Sequence, residues 1–181
     1  MISESRNIKT TKSRSIGEIP DLLESLFVLE LIAPSHCIWI VSAWLTNIEI
    51  VDNRAGNYSS VVPDWGATKI TFVDVLTDIL NRGTSIVIAT NNKKHNTHFY
   101  KKLRDRTASL GVEDRLSFHK SDTLHIKGIL TDSFYLNGSM NFTQNGVTTN
   151  EEELTLTVNQ DALSKSRLEF RDAYGGALNG V

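Results

Sequence analysis

The stretch Leu124–Leu156, LHIKGILTDSFYLNGSMNFTQNGVTTNEEELTL, gathers side chains that could handle a phosphate ester. His125 and Lys127 lie two apart in a segment of strand-like composition, so their side chains should leave the same face. Ser139 and Asn141 repeat that spacing behind Gly138, whose missing side chain lets another group approach the backbone. Glu152 opens the next apolar alternation and can reach the same region. An imidazole is a nucleophile or proton carrier, while an ammonium and a carboxamide donate to oxyanions. Together they describe a phosphate site that needs no metal ion.

These residues also fall into a known pattern. His125-x-Lys127, followed after four residues by Asp132, forms an HKD signature, and Gly138-Ser139-x-Asn141 supplies a G-S-x-N element behind it. The segment resembles the phospholipase D superfamily, most of all its small bacterial single-motif members, the Nuc-type endonucleases. The resemblance implies that His125 attacks phosphorus to give a phosphohistidine, which water then opens, while Lys127 and Asn141 hold the non-bridging oxygens. It implies that Glu152 accepts from the second imidazole nitrogen and fixes its tautomer, as a triad carboxylate does. Glu151 and Glu153 flank it and leave that register open by one residue. Ser139 is expected as a supporting hydroxyl, and Asp132 as a turn-holding residue rather than a substrate contact. No cofactor and no metal are implied.

In-line displacement needs a nucleophile on one side of phosphorus and a general acid on the other, the acid contributing roughly 10²–10⁴ in rate. The chain has no second H-x-K; His36, His95, His98 and His119 stand in other contexts. Single-motif members of the family pair two copies so that one histidine from each faces the phosphate. A C2 homodimer completing the site is therefore implied.

The elements that must position these residues are legible in outline. With 181 residues, 40% hydrophobic and 22% charged, the chain suits one domain. Leu22, Leu23, Leu26, Phe27 and Leu29 set a helical period from Ile19 that Pro34 ends. Cys37–Leu45 is short, apolar and rich in β-formers, as expected of a strand buried on both faces, with Cys37 a core residue. Residues 46–68 show no sustained period and suggest a long loop, either packed or serving as a flap or partner contact; Tyr58 and Trp65 could lie on an interface. A helix is expected over Phe72–Leu80 with Gly83 after it, then a strand at Ser85–Thr90 and a helix at Thr97–Leu110. Strands should follow at Arg115–Lys120, Leu124–Asp132, Phe134–Ser139 and Glu153–Val158, then a helix at Ala162–Tyr174. Helix–strand alternation followed by a strand-rich half implies an α/β sandwich, phospholipase D-like, with a mixed central β-sheet flanked by helices. Residues 1–17, polar and carrying Arg6, Lys9, Lys12 and Arg14, are expected as a flexible segment. Residues 18–176 are expected to form the catalytic domain and 177–181 a loose tail.

Charge and composition narrow the substrate less. The net charge of −2 announces no global field for nucleic acid, but Lys93, Lys94, Lys101, Lys102, Arg104 and Arg106 form one concentrated basic stretch. Its two readings are a phosphate-tracking patch and a solvated helix face. His95 and His98 lack a third ligand at useful spacing and read as surface, as do His119 and Lys120. The polar N-terminus has no apolar signal region, no apolar run is long enough to span a bilayer, and the single cysteine cannot form an internal disulfide. A reducing, cytoplasmic setting is expected. The functional expectation is a metal-independent nuclease acting on DNA or RNA, with partner proteins of a restriction or DNA-modification defence system as a further implication of the resemblance. The alternatives are hydrolysis or transfer of phospholipid headgroups, and a non-catalytic phosphate-binding module.

Overall fold

The computed structural model describes residues 4–11 and 17–176. In chain order the elements are β1 (Ser5–Lys9), α1 (Glu18–Ile32), β2 (Cys37–Val41), β3 (Glu49–Asp52), β4 (Lys69–Thr71), α2 (Phe72–Asn81), β5 (Ser85–Thr90), α3 (Thr97–Leu110), β6 (Leu116–Lys120), β7 (Gly128–Leu130), β8 (Tyr135–Gly138), α4 (Gln144–Thr148), β9 (Glu153–Thr157) and α5 (Gln160–Tyr174). Seven strands form one sheet in the order β1-β9-β8-β7-β2-β5-β6. The pairs β2–β5 and β5–β6 are parallel, and all others in this sheet are antiparallel. This is the mixed sheet and α/β class expected from the sequence.

The apolar run of β2 occupies the middle because it can be dry on both sides. Ile38 and Ile40 join the cluster that includes Phe27, Phe72 and Leu76. Cys37, Trp39 and Val41 join a second cluster with Leu163 and Phe170 of α5. Strand alternation thus sends odd residues to one layer and even residues to the other. Phe72 anchors the larger layer, its ring 5.4 Å from Phe27, 5.5 Å from Phe99 and 5.8 Å from Phe142. Such a buried ring contributes about 1.5–3 kcal/mol.

Three expectations change. The polar segment expected to be flexible contributes β1, which pairs along β9 and buries Ile8; Lys12 and Arg14 lie outside the described residues, as does the expected tail at 177–181. The exposed edge of β9 offers backbone groups that a polar strand can satisfy, a gain no local pattern announces. Within 46–68 the structure places β3, which pairs with β4 through a register shift between Glu49 and Val51. That irregularity breaks the two-residue alternation by which a strand is recognised. The segment packs on the body of the protein: Tyr58 donates to Glu24, and Trp65 Nε1 donates to Asp78 Oδ2 at 2.5 Å. Finally, the strand expected over Leu124–Asp132 is regular only at Gly128–Leu130, so His125 and Lys127 precede β7. One backbone bond, Gly138 N–H to the Lys127 carbonyl at 3.1 Å, extends the pairing with β8 to Lys127.

Candidate active site

Antiparallel pairing brings four chain segments to one end of the sheet. Val41 at the end of β2 faces Gly128 at the start of β7, Gly128 faces Asn137, and Gly138 at the end of β8 faces Leu154 near the start of β9. The entry to β7 therefore carries His125 and Lys127 beside the exit of β8 with Ser139 and Asn141, and beside Glu152 before β9. Neighbouring strands lie about 4.8 Å apart, so these side chains share one neighbourhood.

Asn141 is oriented by groups from across the sheet. Its Oδ1 lies 3.3 Å from the Trp44 backbone N–H and 3.3 Å from Ser42 Oγ. The backbone N–H can only donate, which fixes the oxygen toward β2 and leaves Nδ2 as the outward donor. Ser42, fully buried, is itself held by the Trp44 carbonyl at 2.8 Å and receives the Phe142 N–H at 3.3 Å.

Glu152 is 7% exposed, while Glu151 and Glu153 are exposed and Glu153 pairs with Lys9 at 3.0 Å. Of the three carboxylates, only Glu152 turns inward. Ser139 Oγ donates to its Oε2, and Asn150 Nδ2 donates to its Oε1 at 3.3 Å. Thr10, just past β1, receives the Glu152 backbone N–H at 2.9 Å and donates its own to the Glu152 carbonyl at 2.9 Å. The N-terminal strand thus fixes the backbone that carries the carboxylate. Gly138 permits the join: a Cβ there would lie 2.0 Å from the Glu153 carbonyl oxygen. What approaches this glycine is the adjacent strand, not a ligand.

His125 is exposed, and Lys127 is half-buried with Nζ 3.4 Å from the His125 carbonyl. Among the described residues neither side chain has an acidic partner within ion-pair distance. Within the single chain Glu152 does not hydrogen-bond His125, the contact expected of it; Ser139 and Asn150 take its oxygens instead.

Asp132 lies at the far end of β7. Its Oδ2 accepts from the His36 backbone N–H at 2.9 Å and is 3.0 Å from His36 Nδ1, while Arg167 donates to its carbonyl at 3.1 Å. It stands five positions after Lys127, roughly 16 Å along a strand. It ties the end of β7 to the start of β2 and to α5.

The basic stretch does not stay together. Lys93 and Lys94 border a cavity at the exit of β5, and Arg104 reaches the Tyr100 hydroxyl at 3.2 Å. Lys102 and Arg106 line a separate groove that also holds Asp74 and Asp105, and Lys101 is exposed. Ser42, the Trp44 amide, Thr10 and Asn150 are the site residues that sequence reasoning missed. Only Ser42, a polar residue closing an apolar strand, left a signal.

A mixed sheet that converges histidine, lysine and asparagine at one end, with a buried glutamate behind, defines a phospholipase D-like domain. The chain belongs to that family: the family model described as "Cardiolipin synthase, PLD-like domain" matches residues 58–174. No curated protein sequence matches the chain. Among solved structures the chain is similar to the phospholipase D family member Nuc from Salmonella typhimurium, at 15% identity and a TM-score of 0.58 over 94% of this chain and 92% of that one. It is similar to NucT from Helicobacter pylori at 12% identity and a TM-score of 0.54, over 93% and 95% of the two chains. A phosphatidylserine synthase from Haemophilus influenzae matches at 9% identity and a TM-score of 0.56, over 93% of this chain and 38% of its own.

Proposed function

We propose that this protein is a metal-independent phosphodiesterase that cuts nucleic acid through a phosphohistidine on His125. The observation that carries the reading is the orientation of Asn141: its oxygen is bound across the sheet and its amide donor turned out, beside Lys127 and His125, which have no acidic partner among the described residues. In this scheme His125 attacks phosphorus and the leaving oxygen departs with a proton from a general acid. Lys127 and Asn141 Nδ2 offset the charge that builds on the non-bridging oxygens. Water then attacks the phosphohistidine and releases His125.

The general acid is the His125 of a second copy, in a C2 homodimer. Trp44 and Ile126, beside the site, are 52% and 48% exposed in the single chain, leaving apolar surface where a partner would approach. Similarity in size and fold to Nuc and NucT supports nucleic acid over lipid, and partner proteins of a restriction or DNA-modification system fit the same reading. The family description and the likeness to a phosphatidylserine synthase favour phospholipid headgroups as the second reading. No helix among the described residues is long and apolar enough to cross a membrane.

The test is incubation with labelled single- and double-stranded DNA and RNA in excess EDTA, beside His125→Ala. Cleavage that persists in EDTA and is lost in the variant is expected. Turnover of phosphatidylcholine with nucleic acid intact would move the substrate to lipid. Activity that survives loss of His125 would refute the mechanism.

A further inference from the structure

A cavity of about 240 Å³ opens on the same end of the sheet, bounded by Leu45, Asn91, Lys94, Tyr100, Phe118 and Lys120. His125, Lys127, Ser139, Asn141 and Glu152 are not among its lining residues. Its lining is mixed: Leu45, Phe99 and the half-buried Tyr100 and Phe118 rings, 4.0 Å apart, supply the apolar part, and Thr90 and Asn96 a polar one. Its rim is polar and cationic. Lys120 Nζ sits 5.5 Å from the Tyr100 ring centroid, and Lys93 and Lys94 stand at the mouth. Asn91 Oδ1 accepts from the Lys93 N–H at 3.1 Å and from Asn96 at 2.9 Å, leaving its own amide group as a donor.

The cavity and the phosphate site share a wall. Asn96, 5% exposed, accepts from the Leu45 N–H at 2.9 Å and donates to the Ala43 carbonyl at 3.0 Å and to Thr90 Oγ1 at 2.7 Å. It therefore pins the short loop after β2 to the exit of β5. On one side of that loop the Trp44 N–H orients Asn141; on the other, Leu45 lines the cavity. In the sheet order, β5 lies two strands from β7 and β6 three. At the usual strand spacing that places the cavity about 10–14 Å from His125 and Lys127.

We propose that this cavity receives an unpaired nucleobase of the strand whose phosphate is cut. This rests on the nuclease reading and adds the form of the substrate. The cavity is below the roughly 300–1,000 Å³ of sites for drug-sized ligands, which suits a single planar ring system. The half-exposed Tyr100 and Phe118 rings contact the face of such a ring, the Asn91 amide meets its polar edge, and the lysines meet adjoining phosphate. A base inside a duplex is stacked and paired and cannot enter, so the protein selects single-stranded or locally unpaired substrate.

The test uses full-length protein in EDTA with labelled single strands of one sequence, an abasic unit being walked through the positions beside a mapped cut. One position near the cut should lower kcat/KM roughly ten- to a hundred-fold when its base is absent. The matching duplex should be cut more slowly than the single strand. Tyr100→Ala and Lys120→Gln should slow cleavage of the intact strand and reduce its sensitivity to the abasic unit. Lys120 is exposed, so its variant keeps the test sound if Tyr100→Ala does not fold. Equal rates at every abasic position would overturn the base site while leaving the nuclease reading standing. Undiminished abasic sensitivity in both variants would place the base elsewhere and also overturn it. Failure to cut any nucleic acid would overturn the nuclease reading itself, and the base site with it.

Discussion

Replacing Gly138 with alanine tests whether the close approach of β8 to β9 builds the site. The added methyl carbon would lie 2.0 Å from the Glu153 carbonyl oxygen and 2.9 Å from Leu154 Cα. Contact between such atoms needs at least about 3 Å, so the strands must separate by about an ångström. Two hydrogen bonds span this joint, Ser139 N–H to the Glu153 carbonyl and Glu153 N–H to Ser139 Oγ, each at 3.0 Å. Overpacking costs about 1–3 kcal/mol, and two weakened bonds add roughly 1–3 kcal/mol. The total of about 2–6 kcal/mol corresponds to roughly 5–20 °C in Tm for a domain of this size. The same shift moves Ser139 and Glu152, and a misplacement of about 1 Å can cost on the order of 10² in rate. Thermal unfolding by circular dichroism and turnover of bis(p-nitrophenyl) phosphate in EDTA read the two effects separately. Gly111→Ala is the control: it ends α3 at φ 67° with nothing within 4 Å of the added carbon. It should cost about 1–2 kcal/mol of left-handed backbone strain without loss of turnover. A Gly138→Ala protein with wild-type Tm and turnover would refute the reasoning.

Asn141→Asp replaces the outward donor with a carboxylate and should lower kcat on the same substrate by about 10²–10³, with an unchanged circular dichroism spectrum. Asp132→Asn weakens the side-chain contacts to His36 and the 3.9 Å ion pair with Arg167 at the far end of β7 and should lower stability by about 1 kcal/mol in urea unfolding, leaving turnover in EDTA intact. Burial raises the pKa of Glu30 above its ordinary value of 4.5, against the lowering effect of the Ser35 hydrogen bonds. The folded state therefore holds the Glu30 proton more tightly than the unfolded state, and its contribution to stability is lost as pH rises through the raised pKa. In urea unfolding from pH 4.5 toward neutrality, wild type should lose stability relative to Glu30→Gln; a constant difference would refute that sign.

The candidate site was largely local in the sequence, and the fold around it was not. The spacings His125-x-Lys127 and Gly138-Ser139-x-Asn141 are read within a few residues. The buried run of β2 and the helical periods of α2 and α3 likewise report which faces meet a core. Choosing Glu152 over Glu151 and Glu153 required the tertiary structure, because burial is decided by neighbours distant in the chain: Thr10, Ser139 and Asn150. Orienting Asn141 required Ser42 and Trp44, 99 and 97 residues away. The polar segment that became β1 had no pattern of its own and took its conformation from the open edge of β9. The basic stretch divided because Lys93 and Lys94 precede α3 while Lys101, Lys102, Arg104 and Arg106 point in different directions around it. Adjacent spacing on one strand can be read from sequence alone, but which carboxylate is buried, which amide atom faces outward and which lysines share a wall depend on contacts across the sheet.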